Sequence, residues 1–151
     1  MPNHCSNRVS FYSDDTTAIL KLYNIFENGT NPKTKETVFG EFINEPDWKT
    51  TPNEAGELPI QPDKDSMYPP KFPDGKTDDR WYSWRLANWG TKWDCYDLTI
   101  DEDELPNGFI AEFNTAWSPP EEICHAIKEQ FDDLSVSWFF DEPGMEVAGY
   151  L

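Results

Sequence analysis

The sequence predicts an α+β fold, an antiparallel sheet with two helices on one face in a split β-α-β order, as a single domain over residues 1–151. Three observations predict it. Short segments near both ends alternate apolar and polar residues, the period of a half-buried strand. Two segments repeat apolar residues at helical spacing behind strong start signals. A length of 151 residues fits one domain whose core needs no disulfide staples.

The first element is "NRVSFY", Asn7 to Tyr12, which sets Val9 and Phe11 against Arg8 and Ser10 and reads as a strand. "SDDTT" then supplies cap residues ahead of Ile19, Leu22, Tyr23 and Phe26, whose i, i+3, i+4, i+7 spacing makes an amphipathic helix ending near Asn28-Gly29. Between Thr30 and Asp79 the periodicity stops. Pro32, Pro46, Pro52, Pro59, Pro62, Pro69, Pro70 and Pro73 preclude a long helix or an interior strand. Residues 30–79 therefore read as a long Pro-rich insertion. In it "VFGEFI", Val38 to Ile43, is a brief strand, and Trp48, Tyr68 and Phe72 are clasps laid over the domain.

Asp78 to Gly90, "DDRWYSWRLANWG", is a short helix. Asp78 and Asp79 sit at its positive end, Gly90 takes the left-handed position after it, and Trp81, Trp84 and Arg85 share a face. "CYDLTID" alternates Tyr96, Leu98 and Ile100 inward with Asp97, Thr99 and Asp101 outward; "EDELPNG" is turn chemistry, and "GFIAEFN" pairs back as a hairpin. "SPPEEI" starts a helix, with Ser118 as N-cap and Ile123, Ile127 and Phe131 on one face. "SVSWFF" is a strand, "DEPG" a turn and "MEVAGY" a last strand. The order β-α-(insertion)-β-β-α-β-β closes as a ferredoxin-like layer. Both helices cover one sheet face, and the insertion is the expected cover of the other.

Charge narrows the function classes. The chain carries 29 acids and 12 bases, a net of −17. Residues 94–151 hold 15 acids against Lys128, a net of −14. Such a half-chain repels phosphate backbones and attracts cations, so direct nucleic-acid binding is disfavoured and a basic protein partner favoured. The outward Asp97, Thr99, Asp101 and Glu112 also lack the bases that an RNA-binding sheet pairs with its aromatics. No apolar run reaches membrane-spanning length and no secretory signal is visible. Cys5, Cys95 and Cys124 are scattered and odd in number, which reads as reduced thiols in a cytoplasmic protein.

Trp81, Trp84, Trp89 and Trp93 crowd around "NWGTKWD", with Trp117 following in "TAWSPP". A Gly turn between bulky rings is mainly a packing device, so these indoles close a core poor in aliphatics. The competing assignment is a small-ligand or hydrolytic pocket beneath the insertion, lined by Trp84, Arg85, Trp89, Lys92 and Trp93. His4-Cys5, Cys95 and Cys124-His125 are soft ligands, but sequence neighbours point apart and a zinc site is disfavoured. No hydrolase, phosphate-loop or calcium-loop motif occurs. The reading is a non-enzyme with no cofactor and no metal.

"MPNHCSNRV", "NWGTKWD", "TAWSPP" and the closing "FDEPGMEVAGY" resemble the YubB-type ferredoxin-like domain family, small proteins of phages and plasmids. The resemblance covers both ends and residues 81–151. It implies a ferredoxin-like topology, without an iron–sulfur cluster, and origin in a mobile element; it supplies no activity to carry over.

Together these give a non-catalytic accessory protein of a phage or mobile element, acting in the host cytoplasm. Its acidic surface binds, and inhibits or redirects, a basic host protein of the nucleic-acid-binding kind by presenting carboxylates where phosphates would be. The expected contacts are Asp97, Asp101, Glu102, Asp103, Glu104, Asp132, Asp133, Asp141 and Glu142. A virion or assembly component, with acidity serving solubility, is the further alternative.

Overall fold

Strand β1 (His4–Tyr12) alternates strictly, with Cys5, Asn7, Val9 and Phe11 buried and the residues between them exposed. This is a computed structural model in which residues 3–30, 37–64 and 67–151 are described. Met1, Pro2 and Pro32 lie outside them. The other strands are β2 (Tyr96–Asp101), β3 (Gly108–Ala116), β4 (Ser135–Glu142) and β5 (Val147–Tyr150). They form one sheet in the order β2-β3-β1-β4-β5, with every neighbouring pair antiparallel. The first four strands have the split β-α-β order of a ferredoxin-like layer, and β5 extends it at one edge.

The crossover from β1 toward β2 begins with α1 (Thr16–Gly29), where the Asp15 carboxylate accepts from the Thr17 and Ala18 N–H groups at 3.1 and 3.3 Å. Such a cap stabilises by about 1 kcal/mol. The helix buries the four predicted residues Ile19, Leu22, Tyr23 and Phe26. The crossover from β3 to β4 runs through a later helix over Glu121–Gln130, which buries Ile123, Cys124, Ala126 and Ile127. Both pack on the sheet face that carries Val9, Phe11, Phe109, Ala111, Phe113 and Trp138. Aromatics dominate this core, as the composition requires: Phe26 meets Phe11, Phe109 and Phe113 at centroid separations of 5.5 to 6.2 Å.

The insertion takes a different course from the one expected. Val38 to Ile43 is not a strand. Residues Phe39–Phe42 form a short helix, α2. A strand would send Phe39 and Phe42 to opposite faces, whereas one helical turn turns Val38, Phe39 and Phe42 together into the core. Asp94 holds the start of that turn by accepting from the Val38 and Phe39 N–H groups at 2.9 and 3.2 Å. Burial pushes the Asp94 carboxyl above the usual carboxylate range, against the pull of these N–H donors and that of Cys95.

The described part of the insertion therefore packs on the helix-bearing face, and among the described residues it leaves the opposite sheet face uncovered, contrary to expectation. Directly after the insertion, the helix α3 (Arg80–Asn88) anchors the proline-rich chain. Arg80 donates to Trp48 O and Pro52 O at 3.1 Å, pairs with Asp78, and lies over the Trp48 and Phe72 rings at 4.9 and 5.1 Å. Trp48 and Phe72 are thus clasps as predicted. Tyr68 is 74% exposed and so is not buried as a clasp would be.

The helix over Glu121–Gln130, α4, is capped at Pro120 without a side-chain bond. Ser118, expected as its cap, instead donates from Oγ to Gly90 O at 2.6 Å. Gly90 has φ +86°, and a Cβ there would sit 2.9 Å from the Glu121 nitrogen. The glycine turn and the start of α4 are pressed together, so this position tolerates neither a side chain nor another backbone conformation.

Candidate functional site

The uncovered sheet face is built by the outward half of each strand's alternation. Register fixes its neighbours: Arg8 stands between Glu112 of β3 and Phe139 of β4, and Ser6 between Asn114 and Asp141. Thr99 of β2 lies beyond Glu112. These residues line a shallow concavity of about 380 Å³. The Arg8 guanidinium pairs with the Glu112 carboxylate. Asp97 accepts from the Asn114 side-chain amide at 3.3 Å. Among the described strand residues facing this side Arg8 is the one lysine or arginine, so with His4 neutral Asp97, Asp101 and Asp141 leave the face net negative.

Asp97 owes its position to a bulge. The pairing of β2 with β3 shifts between Tyr96 and Thr99, and Asp97 takes φ +54°. A bulge re-aims side chains and breaks the regularity of an edge.

The predicted acidic residues divide into two groups. Asp97 and Asp141 lie on the open face near the Ser6 end of β1, and Asp101 lies on the same side further along β2. Glu102, Asp103 and Glu104 lie in the β2–β3 turn, and Asp132 and Asp133 in the turn before β4. Both turns are at the Tyr12 end of the sheet, because Tyr12 pairs with Gly108 and Ser135. Asp14 and Asp15, between β1 and α1, add to this acidic rim. From Ser6 to Tyr12, Asp141 and the rim are about 20 Å apart along the strand, and Asp101, next to Glu102, lies between them. Glu102 is tied down by the Tyr23 hydroxyl, which donates to it; that bond and burial push the Tyr23 pKa to about 12.

Glu142 is excluded as a contact. It is 2% exposed, on the covered side of the sheet, and one of its oxygens accepts from the Met145 N–H. Adjacent strand residues face opposite sides, so its neighbour Asp141 reaches the surface and Glu142 does not. Arg8, Glu112, Asn114 and Phe139, absent from the expected contacts, complete the face. The strand alternation contains the signal for them once the open side is known.

The tryptophan corner is filled. Trp89 is 1% exposed and donates from Nε1 to Ile43 O at 2.9 Å. Trp84 packs edge-to-face against Trp89 and Trp48 at 5.8 and 6.4 Å. Arg85 lies over the Trp89 and Trp81 rings at 4.9 and 5.2 Å, and Lys92 over Trp93 at 4.5 Å. Of the five residues expected to line a pocket here, Arg85 alone borders the neighbouring cavity of about 370 Å³, which opens between Trp48, Pro69, Pro70 and Trp81.

Among the described residues no three His, Cys, Asp or Glu side chains are grouped to hold a metal ion. No described helix is long and apolar enough to cross a membrane. Burial pushes the thiols of Cys5, Cys95 and Cys124 upward, Cys5 to about 11, which favours the unreactive neutral form.

Comparison with known proteins supports the fold. Residues 91–151 match the family model described as the ferredoxin-like domain in Api92-like protein. The crystal structure of a protein api92 from Yersinia pseudotuberculosis is similar at a TM-score of 0.52 and 10% identity, covering 99% of this chain and 93% of that one. At that identity the likeness speaks for the fold alone. No curated protein matches. These comparisons support the ferredoxin-like part of the YubB-type resemblance and not its finer name: over residues 91–151 the chain is similar to the ferredoxin-like domain of Api92-like proteins.

Proposed function

We propose that this protein is a non-catalytic binding module whose open sheet face and adjoining acidic rim take a cationic surface of another protein. One observation carries the reading. The described part of the insertion, which was expected to cover the sheet, packs on its other side, leaving Asp97, Asp101 and Asp141 on a face where Arg8, the one lysine or arginine among its described strand residues, is already paired with Glu112. Arginine and lysine on the partner pair with these carboxylates, association is fast, and salt weakens it. A partner that normally grips nucleic acid supplies such a surface. The module then competes with phosphate and inhibits or redirects its target in a host cell, as an accessory protein of a phage or other mobile element.

The test is affinity capture from host lysate at low and high salt, with wild type and an Asp97→Asn, Asp101→Asn, Asp141→Asn variant side by side. Basic proteins retained at low salt by wild type, and lost with salt or with the variant, support the proposal. Retention indifferent to both contradicts it. A second reading, a small-ligand module, is favoured by the cavity beside Trp48 and Trp81. Its mark is saturable quenching of tryptophan fluorescence by a small molecule.

A further inference from the structure

The sheet has two edges, and they differ. β2 is interrupted by the bulge at Asp97 and presents Asp97 and Asp101 outward, devices that blunt an edge. β5 has none of these. It contains no proline, lysine or arginine, it is regular over Val147–Tyr150, and Val147 and Tyr150 are 46% and 72% exposed, with Met145 beside them 58% exposed.

The register shows which backbone groups β5 offers. The Leu151 N–H donates to Trp138 O at 3.0 Å. Hydrogen-bonded pairs alternate with non-bonded ones in an antiparallel ladder, so Gly149 and Val147 also turn toward β4. The N–H and C=O groups of Ala148 and Tyr150 point the other way, to the free edge. Their side chains lie on the open acidic face, because Ala148 is opposite Asp141 and Tyr150 opposite Phe139. The Tyr150 and Phe139 rings touch at 5.3 Å. Ala148 has no side chain beyond Cβ and so leaves the line from the edge to Asp141 open.

We propose that β5 accepts an extended, cationic segment of the partner protein as a sixth strand. The added strand bonds to Ala148 and Tyr150, lays an arginine or lysine over Ala148 to reach Asp141, and packs its next outward residue on the Tyr150 and Phe139 rings. Main-chain bonds supply affinity and the alternate side chains supply selectivity. The occupant follows from charge. A second copy of this chain would bring another −17 and a second Asp141 and Glu146 to the same edge, whereas a basic strand meets complementary charge. This rests on the acidic-face reading above and adds the mode of docking.

The probe is a capped decapeptide alternating arginine and valine, with a control of equal charge in which two valines are replaced by proline. Both are titrated at low salt against wild type, Ala148→Pro and Asp141→Asn, with amide hydrogen exchange followed by NMR. Proline at 148 removes an outward N–H and leaves the bonds to β4 in place. The expected result is binding of the alternating peptide with new protection at Ala148 and Tyr150. Affinity falls about tenfold with Ala148→Pro and with the proline-containing peptide, and falls also with Asp141→Asn. Equal binding of both peptides to wild type and Ala148→Pro overturns strand addition and leaves the acidic-face reading standing. Absence of binding by either peptide overturns both. Protection of Ala148 and Tyr150 that rises with protein concentration alone assigns the edge to a second copy and overturns the proposal.

Discussion

Arg85 of α3 and Glu45 of the proline-rich segment form a forked ion pair, with Nη2 2.8 Å from Oε2 and Nε 2.9 and 3.1 Å from the two carboxylate oxygens. The same carboxylate accepts from Trp48 Nε1 at 2.9 Å, and the guanidinium lies against two indoles. A chain segment too rich in proline to pair with the sheet is thereby fixed through side chains. Arg85→Ala leaves Glu45 partly buried without its cation, at an expected cost of about 2–4 kcal/mol. Urea denaturation measures the loss, and limited proteolysis should find new cleavage between residues 45 and 78.

The Asp78–Arg80 pair gives a pH signature. The Arg80 guanidinium holds the Asp78 carboxyl below the usual carboxylate range. Because the folded value is depressed, the stabilisation is complete above the unfolded value of about 4 and disappears as pH falls through the lower folded one. Asp78→Asn should therefore destabilise the protein at pH 7, and the gap from wild type should narrow as urea titrations are moved from about pH 5 toward about pH 2. A gap that does not change with pH contradicts this origin.

Asn7 is a buried polar residue at the centre of the sheet, an unusual choice for a core position. Its amide donates to Cys5 O and Thr115 Oγ1 at 3.1 and 3.0 Å, and its carbonyl accepts from Trp138 Nε1 at 3.0 Å. Asn7→Ala strands the indole N–H in the core and should cost about 1–3 kcal/mol, read from the urea midpoint. It should also shift the Trp138 fluorescence, because the indole loses its acceptor.

Gly90→Ala combines a left-handed backbone with a Cβ pressed against Glu121. A loss of about 2 kcal/mol or more is expected. Gly56, also at positive φ but with open space around it, should lose less when changed to alanine. Equal losses at the two positions would remove the contact with α4 from the account.

Much of this was legible in the residues. The alternation at Val9 and Phe11, the i, i+3, i+4, i+7 series in α1 and the hairpin of β2 and β3 each follow from a local period that packing reinforces. The short helix at Phe39 was not, because the six residues Val38 to Ile43 are too few to show a period and the Asp94 carboxylate that fixes it lies 55 residues away in sequence. Ser118 has the composition of a cap, but the approach of Gly90 redirects its hydroxyl. The acidic face was half legible. Alternation separates Asp97 from Leu98 and would have separated Asp141 from Glu142, but it does not say which side of the sheet the insertion covers. That depends on where Val38, Phe39 and Phe42 find apolar neighbours, a tertiary outcome.

The most direct test of the acidic-face account is a titration of the labelled protein with hexa-arginine, followed residue by residue by NMR at about 20 mM and about 0.5 M salt. The account predicts shifts concentrated at Arg8, Thr99, Glu112, Asn114 and Asp141, extending to the rim at Asp103 and Asp132, and abolished at high salt. Shifts centred on the exposed acids of α4, Glu121, Glu122 and Glu129, or no shifts at low salt, would contradict it.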